Sequence, residues 1–159
     1  MLGRLVTLLV SALMFTLIGT GTVPANAVNI GQEGCTPGYW KTHTENWQEA
    51  RPSGLFSAKF SDGTSGVLVG VTLEQALAGG GGPGVAGAEL ILARAATASY
   101  LNAAHEGLGF PWRRNAEGLE GRPPLVATVV AALESGDRAM MLALATRLDA
   151  DNNLGCPLS

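Results

Sequence analysis

The residues of this chain best equipped for chemistry are His43 and His105, its only two histidines, each with a carboxylate close by in sequence, Glu45 and Glu106. Two imidazoles, one carboxylate and a water complete the four-coordinate shell of a catalytic zinc, so a metal-dependent hydrolase is one reading of the set. Helical zinc sites commonly show two histidines four residues apart on one face, and no such pair occurs here. Distant segments would have to meet. The opposing reading gives both rings hydrogen bonds to backbone groups, with no metal, no cofactor and no catalytic residue.

Tyr39, Trp40 and Trp47 offer a second kind of chemistry. Flat aromatic side chains give sugar rings or peptides apolar contact at low entropic cost, so these three, together with Trp112, could form a binding platform. Large aromatics more often fill cores, and the alternative plugs Tyr39 and Trp40 against the helices and leaves Trp47 the most exposed. Were Thr36 to Trp47 a single helix, Trp40 and Trp47 would share a face.

Cys35 and Cys156 are the only cysteines and stand near opposite ends of the chain. In an oxidising compartment they are expected to pair. A cross-link across 121 residues stabilises by roughly 4–5 kcal/mol in the loop-closure account. Neither cysteine has a histidine beside it in sequence to activate a thiolate, so their role is read as structural.

Other signatures fail in detail. There is no Gly-x-Ser-x-Gly elbow, and nothing else marks a serine triad. The Gly-rich run from Gly79 to Gly84 lacks the Lys-Ser/Thr of a phosphate loop, which leaves a hinge or a tight crossing. Asp149, Asp151 and Asn153 alternate oxygens as a calcium loop does, but Leu154 stands where the EF-hand turn needs Gly. A helix end capped by Asn153 or Gly155 is expected instead.

These side chains need elements to hold them, and the patterning is mainly helical. Thr36-Pro37 opens a short helix through His43, because Thr caps and Pro fits the first helical position. Arg51-Pro52-Ser53-Gly54 breaks the chain. The alternation Phe56-Ser57-Ala58-Lys59-Phe60, then Asp62-Gly63 and the apolar Val67 to Val71, reads as a short β-hairpin or an extended loop. Thr72 with Gln75 forms a capping box for a helix over Leu73 to Ala78. Leu90, Ala93, Ala96, Tyr100 and Ala104 recur at helical steps and define one long helix. Pro123-Pro124 introduces a helix through Leu133, and Ser135-Gly136-Asp137 starts another through Leu148, the two packing antiparallel. The expected fold is a small, single-domain, mainly α bundle with a loop-rich N-terminal part and one disulfide.

Arg4, the apolar run Leu5 to Ile18 and the ending Ala25-Asn26-Ala27 lay out a secretory signal peptide over residues 1–27. The run is too short for a bilayer core, which takes about 20 residues. Residues 28–159 then form the secreted domain, with no membrane span, in the extracellular space or a periplasm. The formal charge is −3, with 10 basic against 13 acidic residues. Removing the leader takes Arg4 and no acid, so the remainder is more acidic still. Such a surface has no basic field for nucleic acid.

The stretch Cys35-Thr36-Pro37-Gly38-Tyr39-Trp40-Lys41-Thr42-His43 resembles the Cys-Thr-Pro-Gly-Tyr/Phe-Trp-Lys-x-His segment of a group of secreted bacterial proteins of uncharacterised function. Further segments similar to theirs are Leu73 to Gly82, Leu101-Asn102-Ala103-Ala104-His105 and the tail Leu148 to Cys156. The resemblance implies secretion and paired cysteines and brings no catalytic residue with it. The function expected is an extracellular structural or interaction module, binding a protein or glycan through Tyr39, Trp40 and Trp47. The metal-dependent hydrolase built on His43 and His105 is the alternative.

Overall fold

The organising element is α3, Gly84–Ala104, about 31 Å long at the usual rise. Alanines 88, 93, 95, 96, 98 and 104 are buried along it, together with Leu92, Tyr100 and Leu101. Burial on nearly every side explains why α3 lacks an amphipathic stripe: a helix that is apolar all round sits at the centre of its bundle. Small side chains let its neighbours approach closely. A computed structural model places residues 33–60, 66–115 and 122–158; the expected signal peptide over residues 1–27, residues 28–32 and the Asp62-Gly63 pair lie outside these described residues.

Around α3 pack α1 (Pro37–Thr42), α2 (Leu73–Ala78), α4 (Leu125–Glu134) and α5 (Arg138–Asn152), with α5 making the longest seam. The start signals act as read. Thr72 accepts from the Gln75 amide while the Gln75 side chain accepts from the Thr72 amide, closing the capping box. Asp137 caps α5 through the amides of Ala139 and Met140. The fold is a small all-α bundle closed by the Cys35–Cys156 disulfide.

Where a hairpin or extended loop is expected, the described residues form instead two 3₁₀ turns, Phe56–Ala58 and Gly66–Leu68. The Phe60 amide donates to the Phe56 carbonyl at 3.0 Å, and the two rings stack 4.5 Å apart. Alternation placed these rings four apart, which is also a helical spacing, and their contact decides for the turn. Only the single antiparallel bridge Leu55–Thr72 remains of the hairpin among the described residues.

The Gly-rich run is a tight crossing. A Cβ on Gly87 would lie 2.0 Å from the Gly82 carbonyl oxygen, so the chain entering α3 closes onto its first turn only because residue 87 is Gly.

Candidate functional site

The motif stretch folds into a buried polar knot. In α1 the Thr36 hydroxyl accepts from the Tyr39 amide at 3.1 Å, and Pro37 supplies the first turn. The next residue on the inner face is Trp40, with no exposed surface. Its indole Nε1 donates to Asn102 Oδ1 at 3.0 Å. The same oxygen accepts the Cys35 amide at 2.8 Å. Asn102 Nδ2 donates to the Cys35 carbonyl at 2.9 Å and to Asn152 Oδ1 at 2.8 Å. Asn152 Oδ1 also accepts from the Ser99 hydroxyl at 3.0 Å, and its Nδ2 donates to the Ala95 carbonyl at 3.1 Å.

Asn102 therefore makes every hydrogen bond a primary amide can, and all of them are dry: Ser99, Asn102 and Asn152 are fully buried. The disulfide sits at the knot's edge with its Cα atoms 4.5 Å apart. Beside it the Gly34 amide donates to the Gly155 carbonyl at 2.9 Å. A Cβ on Gly34 would fall 2.2 Å from the Asp151 carbonyl oxygen, so only Gly lets this segment lie against the end of α5. Leu77 of α2 completes the surrounding apolar cluster with Ala98, Leu101 and Leu108. Segments 35–43, 73–82, 101–105 and 148–156 thus all meet here.

The candidate metal ligands are not brought together. His43 stacks on Tyr39 with centroids 4.2 Å apart, and its Nδ1 donates to the Tyr39 carbonyl at 3.0 Å. His105 lies against Trp40 and donates from Nε2 to the Asn46 carbonyl at 2.7 Å. Glu106 pairs with Arg113 at 3.1 Å, and Glu45 is exposed. Among the described residues no three of His, Cys, Asp and Glu are grouped to hold a metal ion. Each imidazole holds a backbone carbonyl, as the structural reading of the pair expects.

The aromatic platform is likewise divided. Thr36 to Trp47 is not one helix: α1 ends at Thr42, and a separate 3₁₀ turn covers Thr44–Asn46. Trp40 is inaccessible to any ligand. Tyr39 is half-buried, its hydroxyl donating to the Leu158 carbonyl at 2.8 Å and accepting from Asn46 Nδ2 at 2.6 Å. Trp47, expected to be the most exposed, is half-buried between the two core clusters and donates from Nε1 to the Trp40 carbonyl at 2.9 Å. Trp112 is buried as well, bonded to Asp151 Oδ2 at 2.7 Å under the Arg147 guanidinium. Asp151 thereby caps an indole, and α5 runs on to Asn152 with Asn153 as its cap, so the acidic tail is a helix end.

What the surface does offer is grooves. One of about 410 Å³ lies beside the bend at Glu49, with Ala50, Arg51, Leu55, Lys59 and Leu73 in its wall. Another of about 410 Å³, between α4 and α5, is walled by Ala127, Ala131, Met140 and Leu144. The residue types single out neither groove and give no role to Asn102 or Asn152, although both asparagines lie in segments for which a resemblance is noted. The available signal for the asparagines was the company they keep, since a polar side chain on a helix apolar all round needs an internal partner. Comparison of the chain with family models, curated proteins and solved structures finds no match.

Proposed function

We propose that this protein is a secreted, disulfide-closed interaction module that works by presenting a rigid surface, without a catalytic centre of its own. One observation carries the reading. Every uncommon side chain of the motif stretch and its partner segments is held by the protein itself: Trp40 by Asn102, His43 by Tyr39, His105 by Asn46 and Tyr39 by the tail. Groups bound in this way rigidify a fold and are not poised to meet a substrate. The disulfide supports an oxidising compartment. Among the described residues no helix is long and apolar enough to cross a membrane.

The test is intact-mass analysis of protein recovered from the medium or periplasm of an expressing bacterium. The expected mass starts at Val28 and includes one disulfide, with no thiol alkylated before reduction. A chain retained in the cytosol with its leader, or two free thiols after denaturation, contradicts the proposal. Stoichiometric zinc lost on His43→Ala and His105→Ala would instead establish the hydrolase reading.

A further inference from the structure

We propose that the groove beside Glu49 binds an acidic peptide segment, one aliphatic side chain flanked by carboxylates; the inference rests on the interaction-module reading and gives that module its ligand class. The floor of the groove is apolar. Ala50, Leu55 and Leu73 line it, its volume of about 410 Å³ falls within the range of small-ligand sites, and Leu55 is left 45% exposed. A single aliphatic side chain can cover that leucine.

Its rim is cationic. Arg51 is exposed, and its guanidinium has no protein partner among the described residues. Lys59 Nζ stands 5.2 Å above the Tyr100 ring and donates to the Glu49 carbonyl at 3.1 Å. The one acid in the wall, Glu49, is already paired with Arg114. The groove therefore presents net positive charge in a chain whose formal charge is −3.

The balance of those charges selects the kind of anion. Screening confines the attraction of Arg51 and Lys59 to roughly 10 Å, so it acts on a group seated in the groove, whereas a wide anionic surface would also be brought close to the acids that give the chain its formal charge of −3. A carboxylate seated in the groove is favoured; an extended anionic membrane is not. The groove is open to solvent rather than enclosed, which suits a peptide and would leave a lipid chain in water.

The backbone supplies an independent pointer. Glu49 is the one non-glycine residue among those described with a positive φ, 56°. Side chains other than Asn and Asp rarely adopt this conformation, and strain of this kind concentrates where a chain is shaped for binding. The Arg114 ion pair and the Lys59 bond hold Glu49 in place from both sides, and the bend sets Ala50 and Arg51 into the groove wall.

The experiment titrates the ¹⁵N-labelled secreted chain with acetyl-Asp-Leu-Asp-amide and, in parallel, with its Asn-Leu-Asn counterpart. The expected result is saturable shifts at Arg51, Gly54, Leu55 and Lys59 with the acidic peptide only. Arg51→Gln should weaken binding roughly three- to tenfold at an unchanged melting temperature. Equal binding of the two peptides, shifts centred elsewhere, or no shift at millimolar peptide overturns the proposal. So does binding to phosphatidylglycerol vesicles that outcompetes the peptide. Failure here leaves the module reading standing, because intact mass and thiol state test that reading separately.

Discussion

The knot around Asn102 and the groove beside Glu49 use polar groups in opposite ways. In the knot, amides, an indole and a hydroxyl are removed from water and answered one for one, so each is worth most where it is and costs most if its partner is lost. In the groove, Arg51 keeps its hydration, has no protein partner among the described residues, and adds little to folding. The rarest residue types in the sequence serve architecture, while the surface available for recognition is made of ordinary ones. Motif rarity here marks a structural constraint.

Mutation can break this contrast. The largest effect is expected for Asn102→Leu, which removes the partners of the Cys35 amide and carbonyl, the Trp40 indole and Asn152 together. Each orphaned buried group costs about 1–3 kcal/mol, so a loss of roughly 5 kcal/mol is expected, read as a collapse of the thermal transition. A loss below about 1 kcal/mol would mean that water reaches the knot.

Next come the cysteines. Cys35→Ala and Cys156→Ala should each remove about 4 kcal/mol, and the double variant little more, because both break one bond. Additive losses in a denaturant series would show that each cysteine acts alone.

Trp47→Ala sharpens the contrast from the middle. Half-buried and bonded to the Trp40 carbonyl, it should cost about 1–2 kcal/mol, less than the roughly 3–5 expected for Trp40→Ala. At the small end, Arg51→Gln should change stability by less than about 0.5 kcal/mol in the same melts.

Much of the architecture was legible in the sequence because its signals are local. Thr72 and Gln75 closed their capping box, Pro123-Pro124 preceded α4, and Asp137 capped α5. The pairing of Cys35 with Cys156 followed from there being only two. Residues 56–60 misled because spacing by four fits both an alternating strand and a helical turn. The knot was hidden for a different reason. Asn102 and Asn152 are ordinary residues on helices, and only the packing of α5 against α3 puts Asn152 Oδ1 within 2.8 Å of Asn102. His43 and His105 drew attention through their chemistry, but what decides their role is the backbone carbonyl each one reaches. The groove was invisible for want of any motif at all.

The central claim is that the knot is the structural keystone and the groove lies on its periphery. Native-state hydrogen exchange of the Cys35 amide, buried and bonded to Asn102 Oδ1, tests it most directly. The account predicts that this amide exchanges only through global unfolding, with an opening free energy equal to that from denaturant melts, while the Arg51 amide exchanges through local opening at far lower energy. Exchange of the Cys35 amide as fast as that of Arg51 would contradict it.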